Sequence, residues 1–297
     1  MKDKIKKLAK ERNAIILAHN YQPPEIQDIA DLCGDSLELS IKAAGTDADI
    51  ILFCGVHFMA ETASILSPEK IVLLPNKDAG CPMADMIHPD LLMAKLETLP
   101  PMPVVTYVNS SAAVKALSTI CCTSANVVKV VNSLDADEVL MTPDRNLARY
   151  AAAHTRKKLH FWDGCCPFHD RLSAVDVKKA KEAYPDAIVM AHPECRTEVL
   201  EIADIVLSTA GMIQYAKTSG HRSFIVGTEI GLLYPLQKEN PGKNFYPASP
   251  NLMCPDMKKI TLEDVAASLE FLIGQIKVPE PIRIRAFKAV QDMIAIR

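Results

Sequence analysis

Three series of positions recur along this chain with nearly the same period: the ends of apolar strands, hydroxyl residues that open helices, and cysteines in loops. Their members are residues 20, 109 and 193, then Ser36, Ser124 and Thr209, and finally Cys81, Cys166 and Cys254. Every step lies between 84 and 89 residues. Solenoid units repeat after roughly 20–50 residues, so this longer period predicts three related domains.

Each repeat alternates apolar strands with helices. Strands such as 14–18, 49–55 and 223–227 are continuous apolar runs, which is typical of parallel strands buried on both faces. Strands of this kind alternating with helices predict a sheet between helical layers, and ligands of open α/β sheets lie beyond the carboxyl ends of the strands. We therefore predict an α/β fold with three pseudo-symmetric parallel-sheet αβα domains arranged around a central active site.

The repeat also predicts where the domains begin and end. We expect the first domain to comprise 1–82 and 265–297, the second 83–170 and the third 171–264. Two helices, at about 262–275 and 280–296, follow the third repeat without starting a new one. We assign these terminal helices to the first domain for that reason.

Helix-start signals give two local expectations. Pro23-Pro24 predicts a helix that runs to about residue 33, where Gly34 stops it. Ser36, Ser124 and Thr209 are expected to cap the helices that they open. A helix N-terminus also attracts anions through its free N–H groups, so the three positions predict a small substrate with several negative charges. The chain has no Walker-type loop and no GxGxxG sequence that would favour a nucleotide instead.

Composition excludes several classes of function. The net charge of −3 provides no basic surface for nucleic acid or an anionic membrane. The basic N-terminus is followed by an apolar run of only five residues, 14–18, which is too short for a signal peptide or a spanning helix. We therefore expect a cytoplasmic protein without a membrane or nucleic-acid partner.

Polar side chains collect where the first strand of each repeat ends. They are His19, Asn20, Tyr21, Tyr107, Asn109, His192 and Glu194. One such histidine, tyrosine or asparagine is more often structural than catalytic. Three equivalent strand ends that all carry titratable or hydrogen-bonding groups are difficult to explain by packing alone, so the pattern indicates a shared site.

The nine cysteines are scattered along a long chain, which argues against the disulfide framework of small secreted domains. Cys81, Cys166 and Cys254 lie in loops at equivalent repeat positions. Three thiolates fit an iron–sulfur cluster that lacks a fourth protein ligand, or a zinc site with three cysteines. The residues alone do not decide between these two sites, nor between Cys165 and Cys166 as the second ligand.

Ten motifs in this order resemble the quinolinate synthase family. They are ILAHNYQ-PE-QDIAD (16–31), GDSLEL (34–39), FMAE (58–61), CPMA (81–84), YVNS (107–110), TSAN (123–126), PDRNLA (143–148), HPEC (192–195), GTEIG (227–231) and MKKITLE (257–263). The resemblance spans nearly the whole chain. It implies an enzyme of de novo NAD biosynthesis that condenses iminoaspartate with dihydroxyacetone phosphate to quinolinate, phosphate and water. It also implies three domains around one site and a 4Fe–4S cluster with one iron open to substrate.

The resemblance further implies the cluster ligands. They are Cys81 of the CPMA motif, Cys166 before the proline of the GxCPxH stretch, and Cys254 of the CxxMK stretch. Two residues depart from the family pattern. Cys165 stands where histidine is common, and Ala210 stands where glycine is expected beside Thr209.

Roles follow from the same resemblance. Glu194 is expected to be the general base, His19 and His192 to orient carboxylate or carbonyl groups, and Tyr21 and Tyr107 to hydrogen-bond intermediates. The residues expected to anchor carboxylates or phosphate are Ser36, Asn109, Ser124 and Thr209. An L-aspartate oxidase or aspartate dehydrogenase is the expected source of iminoaspartate. Two alternatives stay open: a cluster-based redox or iron sensor, and a zinc-dependent aldolase or hydro-lyase.

Overall fold

The computed structural model describes residues 1–296 as three units that share one order of elements. Each unit alternates four strands with three helices. The first unit contains β1 (Ala14–His19), α2 (Pro24–Gln27), β2 (Leu32–Gly34), α3 (Ser36–Ala44), β3 (Ile50–Cys54), α4 (His57–Leu66) and β4 (Ile71–Leu73). Helix α1 (Lys2–Glu11) precedes it.

The second and third units repeat this order. The second contains β5 (Val104–Tyr107), α6 (Ala112–Lys115), β6 (Ile120–Cys122), α7 (Val127–Ser133), β7 (Glu138–Thr142), α8 (Arg145–Ala152) and β8 (Lys158–Phe161). The third contains β9 (Ile188–Ala191), α11 (Thr197–Leu200), β10 (Ile205–Val206), α12 (Thr209–Thr218), β11 (Ser223–Gly227), α13 (Leu233–Glu239) and β12 (Asn244–Pro247), with a short 3-10 helix (Ile230–Leu232) before α13.

Connecting and terminal helices complete the described chain. They are α5 (Pro89–Glu97), α9 (Pro167–Arg171), α10 (Ala174–Ala183), α14 (Leu262–Phe271) and α15 (Glu280–Ala295). Short 3-10 helices also occur at Ala84–Met86 and Asp256–Lys258. Within residues 1–296, no helix combines the length and the apolar character needed to cross a membrane.

All three sheets have the same topology. Each has four parallel strands, in the orders β2-β1-β3-β4, β6-β5-β7-β8 and β10-β9-β11-β12. The central strands are buried apolar runs, as in β3, because helices cover both faces. The predicted α/β fold with three pseudo-symmetric parallel-sheet units is therefore confirmed.

One predicted helix is wrong. The helix that begins at Pro24 ends at Gln27, and Leu32–Gly34 forms the edge strand β2. The side chain of Asp31 accepts the N–H of Ile16 at 2.8 Å, which fixes the start of β2 beside β1. This pairing with a neighbouring strand outweighs the helical signal of the local sequence. The short strand β6 and the helices α9 and α10 also lie outside the sequence-based prediction.

The terminal helices contact two units. Helix α14 packs on α1 and β3, whereas α15 packs on α4 of the first unit and on α6 and β6 of the second. The side-chain amide of Asn126 donates to the carbonyls of Met293 and Ile296 at 3.0 and 2.7 Å, which fixes α15 against the second unit. The domain limits given above, including the assignment of 265–297 to the first domain, stay a prediction.

Gly274 lies in the segment after α14, which packs against the chain that follows β4 at the edge of the first sheet. Its φ is +83°, and a Cβ at this position would lie 2.3 Å from the carbonyl oxygen of Leu74. We expect Gly274→Ala to lower the free energy of unfolding by about 2 kcal/mol, because the side chain meets both backbone strain and a fixed carbonyl. Thermal unfolding measures the change. Gly220→Ala is the control, since a Cβ at Gly220 meets no atom within 4 Å, and an equal loss in both variants would contradict the prediction.

Candidate functional site

A cavity that is open to solvent lies beyond the carboxyl ends of the strands and receives side chains from all three units. Asn20, predicted among the polar side chains at the end of the first strand, does not line it, whereas the twelve side chains to which the family resemblance assigns a role all do. They are His19, Tyr21, Ser36, Cys81, Tyr107, Asn109, Ser124, Cys166, His192, Glu194, Thr209 and Cys254. The arrangement places these side chains together at one point in the fold.

The first strand of each unit aims two side chains at the cavity. His19 and Tyr107 end β1 and β5, and His192 directly follows β9. The second side chain lies two residues further on in each unit, because alternate residues of an extended chain face the same side. The Nδ1 atoms of His19 and His192 accept the backbone N–H two residues later, at 3.2 and 3.3 Å. In the neutral rings the proton is therefore on Nε2.

Burial keeps both histidines neutral. It is the largest effect on His19 and His192, and it lowers the pKa of each ring to about 3. The positive charge of Lys258 adds to the effect on His19. Both rings therefore offer a neutral Nε2–H donor near pH 7, which can bind a carbonyl or carboxylate oxygen.

A chain of four side chains, joined by two hydrogen bonds and one ion pair, crosses the site between the first and third units. The hydroxyl groups of Tyr21 and Thr228 are 2.5 Å apart, and Thr228 Oγ1 lies 2.8 Å from His169 Nε2. His169 Nδ1 lies 2.7 Å from Glu194 Oε2. If the Tyr21 hydroxyl donates to Thr228, then each member in turn donates to the next and Glu194 accepts at the end. The arrangement can carry a proton from Tyr21 to Glu194.

The pKa shifts of Glu194, Tyr21 and Tyr107 indicate their charge states. Burial, followed by the charge of Glu194, raises the pKa of Tyr21 and Tyr107 well above the usual value. Burial on its own would raise the pKa of Glu194, but His169, His192 and the Tyr107 hydroxyl outweigh it and lower that pKa. The site therefore contains an ionised Glu194 beside two protonated tyrosines.

The same backbone hydrogen bond holds each cysteine loop. A residue that begins the helix after the third strand donates its N–H to the carbonyl two residues before the cysteine. The three pairs are His57 with Ala79, Arg145 with Gly164, and Ile230 with Leu252, each at 2.8 Å. Because the three sheets share one topology, this bond places Cys81, Cys166 and Cys254 at equivalent points around the cavity.

Two carboxylates reinforce this placement. Asp144 Oδ2 accepts the N–H of Cys166, and Glu229 Oε1 accepts the N–H of Cys254, both at 3.1 Å. Each carboxylate directly precedes the helix-starting residue of its unit. Val56 occupies the equivalent position in the first unit, so the N–H of Cys81 lacks this partner. Sequence reasoning missed Asp144 and Glu229. The signal that could have found them is that both lie at the same position of their repeats.

The donor set of the three loops fits a metal group. Burial raises the pKa of all three thiols, to about 12 for Cys81 and to about 11 for Cys254. A thiol must lose its proton to bind a metal, so binding releases protons and removes a large desolvation penalty. Thiolates are the usual ligands of iron–sulfur clusters and of structural zinc.

Cys165 has a different environment from Cys166. Cys166 lines the cavity, whereas Cys165 is absent from its lining and donates its backbone N–H to the sulfur of Met86 at 3.3 Å. A second donor set also includes Cys166. Its sulfur and one ligand atom each of His169 and Glu194 lie within 4.8 Å of one another, and among residues 1–296 this is the group of three that could hold a single ion.

The expected helix caps are wrong. The caps of α3 and α12 are Asp35 and Ser208, each one residue before the hydroxyl residue proposed for that role. Helix α7 begins after Asn126, so Ser124 does not cap it either. A side chain immediately upstream takes the cap in the first two cases. Ser36, Ser124 and Thr209 all line the cavity.

Two polar atoms of the cavity wall, one on Thr209 and one on Asn109, are available to a ligand. Asn20 Nδ2 donates to Thr209 Oγ1 at 3.2 Å, which leaves the hydroxyl hydrogen of Thr209 available to a ligand. The side-chain oxygen Oδ1 of Asn109 is buried and has no hydrogen-bond partner among residues 1–296. A buried polar atom without a partner is costly, so Asn109 is suited to accept a hydrogen bond from a bound molecule.

Acid should destabilise the protein through the two buried histidines. The pKa of each ring is near 6.5 in the unfolded chain and near 3 in the folded protein. The unfolded state therefore binds more protons between these values, so the free energy of unfolding falls as pH falls through this window. Each of the two rings should lower the free energy of unfolding by roughly 2 kcal/mol between pH 7 and pH 5. Burial raises the pKa of Asp144 to about 7, which adds stability as pH falls over the same range. Urea unfolding of metal-free protein at both pH values therefore measures the effect of a histidine as the difference between its variant and the original protein. His192→Asn, which keeps an acceptor near Nδ1, should lose less, and the exposed His221→Asn should match the original protein. Equal losses in all three would contradict the prediction.

Comparisons with known proteins agree with the geometry. The model of the family described as "Quinolinate synthetase A protein" (NadA) matches residues 3–295. A curated protein named quinolinate synthase from a Geobacter species is 58% identical over 296 residues, covering 100% of this chain and 97% of that protein. The quinolinate synthase of Geotalea uraniireducens is 57% identical with the same coverage, and quinolinate synthase 1 of Methanosarcina acetivorans is 55% identical over 99% of this chain and 97% of its own length. A match of this extent, on a fold of three equivalent units that share one cavity, shows that the chain belongs to the quinolinate synthetase A family of enzymes.

Proposed function

We propose that this chain is a quinolinate synthase of NAD biosynthesis, which condenses iminoaspartate with dihydroxyacetone phosphate to form quinolinate, phosphate and water. The observation that carries the proposal is that all twelve residues expected from the family motifs line one cavity. Three thiols, an ionised base, two neutral histidines and the hydroxyl residues Ser36, Ser124 and Thr209 line the same space. That set suits two small anionic substrates, of which one carries two carboxylates and the other a phosphate.

We propose Cys81, Cys166 and Cys254 as the ligands of a 4Fe–4S cluster. Three thiols from three units account for three of its irons, and the fourth iron is left for substrate. When bound, the cluster supplies a Lewis acid at the cavity wall that polarises a substrate oxygen. Asp144 and Glu229 hold two of the ligand loops through backbone N–H groups, and such supporting contacts are usually needed for full metal affinity.

Glu194 is the proposed general base. Its lowered pKa keeps it ionised, and its contact with His169 connects it through Thr228 to Tyr21. A proton taken from substrate carbon or nitrogen can therefore be held on the Glu194–His169 pair. Proton transfer by a positioned side chain contributes about 10²–10⁴ to the rate.

The remaining side chains bind and orient the substrates. The Nε2–H groups of His19 and His192 donate to carbonyl or carboxylate oxygens. Ser36 and Thr209 are the first residues of α3 and α12, where free backbone N–H groups also favour anions. The other proposed contacts are the hydroxyls of Ser124 and Tyr107 and the free oxygen of Asn109.

A zinc-dependent lyase is the second candidate. It is favoured by the close group of Cys166, His169 and Glu194, whose ligand atoms lie within 4.8 Å of one another. In that case Glu194 binds the ion and is not a base. The three equivalent cysteine loops favour the cluster, because a single ion on this group leaves Cys81 and Cys254 without a role.

The proposed setting is the cytoplasm, with an L-aspartate oxidase or aspartate dehydrogenase as the source of iminoaspartate. The reaction is tested with protein purified without oxygen and loaded with iron and sulfide. Iminoaspartate and dihydroxyacetone phosphate are supplied together and then singly, and products are identified by mass spectrometry. We expect quinolinate and phosphate only when both substrates are present. Loaded protein that forms no quinolinate from the pair would refute the proposed reaction.

A further inference from the structure

We infer that Lys115 is a positioning residue, one of three buried donors that join neighbouring units around the cavity and set the distances between their strand ends. Lys115 is fully buried at the end of α6. Its ammonium group donates to the carbonyl of Ser110 at 2.5 Å in its own unit and to that of Phe58 at 3.5 Å in the first unit. The Phe58 ring, with its centroid 5.5 Å from Nζ, covers the charge.

Gln27 makes the equivalent contacts in the first unit. Like Lys115, it is the last residue of the four-residue helix after the first strand. Its amide donates to the carbonyl of Gln22, five residues earlier, at 2.8 Å, as Lys115 does to Ser110. It also donates to the carbonyl of Gly231 at 3.4 Å, at the start of the helix after the third strand of the third unit.

The third contact between units, which joins the second unit to the third, has its donor on the helix after the third strand. Helix α11 ends at Leu200, which has no donor. Instead Asn146 of α8, at the position equivalent to Phe58 and Gly231, donates to the carbonyl of Glu194 at 3.1 Å. The second unit is therefore joined to the first, the first to the third, and the third to the second. The three contacts form a closed ring.

Each contact fixes backbone that carries cavity side chains. Ser110 follows Asn109, Gln22 follows Tyr21, and the third carbonyl belongs to Glu194 itself. The approach at the Gln27 junction is close: a Cβ at Gly231 would lie 2.6 Å from the carbonyl oxygen of Tyr21. A site assembled from three units needs fixed distances between them, because a displacement of about 1 Å can cost roughly 100-fold in rate.

A second bond strengthens the Lys115 junction. Glu61 of α4 accepts the backbone N–H of Ala112, the first residue of α6, at 2.9 Å. The carboxylate also balances the buried ammonium, since its charge raises the pKa that burial of Lys115 lowers. The first and second units are thus joined by two contacts, one to Glu61 and one to the carbonyl of Phe58, and Phe58 lines the cavity.

The chain itself offers a matched pair of substitutions. Lys115→Met keeps the aliphatic stem and removes the donors, whereas Lys115→Gln places the donor of Gln27 at the equivalent position. In hydrogen exchange on metal-free protein, we expect Lys115→Met to speed exchange roughly tenfold in both 56–62 and 107–115, since the loss of one buried bond changes local opening by about that factor. Lys115→Gln should restore most of the protection.

The kinetic part of the test depends on the proposed function. We expect Lys115→Met to lower kcat/KM for quinolinate formation by at least about tenfold, and Lys115→Gln to recover most of it. Gly274→Ala is the control for stability alone, because it should lower the melting temperature without changing kcat. Protein that forms no quinolinate at all would refute the reaction, while hydrogen exchange would still decide the role of Lys115.

Three results would overturn the inference. The first is unchanged exchange in Lys115→Met, and the second is faster exchange in one unit only. The third is a folded Lys115→Gln protein as impaired as Lys115→Met. If Lys115→Met does not fold, Gln27→Met tests the ring at the junction of the first and third units, where exchange should rise in both 20–28 and 229–233. Unchanged exchange there would equally refute the ring.

Discussion

Cys166→Ala should remove the iron from the protein and lower quinolinate formation by more than about 100-fold, whereas Cys165→Ala should leave both nearly unchanged. Supporting contacts outside a metal site are worth roughly 10–100-fold in affinity or activity, so the loss of a ligand should exceed that range. Only Cys166 of this adjacent pair lines the cavity.

The contrast follows from how the two cysteines are held. The N–H of Cys166 donates to Asp144, which fixes the loop with the sulfur toward the cavity. Cys165 is buried but does not line the cavity, and burial followed by the charge of Asp170 raises the pKa of its thiol. Replacement of this thiol removes a small buried group and no ligand.

Iron and sulfide analysis of both variants after anaerobic loading provides the measurement. The circular dichroism spectrum of each variant serves as the control for folding. If Cys166→Ala keeps its iron and Cys165→Ala loses it, the assignment of the second ligand is wrong. If both keep it, the three-cysteine site is wrong as a whole.

Glu194→Gln should lower kcat by about 10²–10⁴ and leave the iron content unchanged. This range is the usual contribution of a positioned general base. The amide keeps the size of the side chain and an oxygen that can accept from His169 Nδ1, but it has no charge and cannot take up a proton. The lowered pKa of Glu194 indicates that the original side chain is ionised at neutral pH.

Metal content separates this role from the zinc alternative. If Cys166, His169 and Glu194 bind a single ion, then Glu194→Gln should lose metal together with activity. Glu198→Gln is the matched control, because this side chain is about half exposed and lies outside the cavity lining. A Glu194→Gln enzyme with nearly full kcat would exclude the proposed base.

The features that were predictable from the sequence are those that repeat. Continuous apolar runs fix the central strands, and their common period places His19, Tyr107 and His192 at equivalent strand ends. The period also brings Cys81 and Cys166 to the same cavity, although they are 85 residues apart in the chain. Each of these signals is local and occurs three times, which makes it distinguishable from packing.

Features that depend on contacts between distant segments were missed. Strand β2 has only three residues and exists because it pairs with β1. His169 and Thr228 are 59 residues apart, and nothing in either local sequence indicates that they connect Glu194 with Tyr21. Asp35 and Ser208 took the helix caps from their neighbours, since two adjacent polar residues at a helix start are locally equivalent.

The central claim is that three cysteine loops, one from each unit, hold one iron–sulfur cluster at the cavity. Iron, sulfide and zinc analysis of protein purified without oxygen tests this claim most directly. The account predicts a brown protein with about four iron and four sulfide ions per chain, the stoichiometry of one 4Fe–4S cluster. A colourless protein with one zinc ion per chain and no sulfide would contradict it.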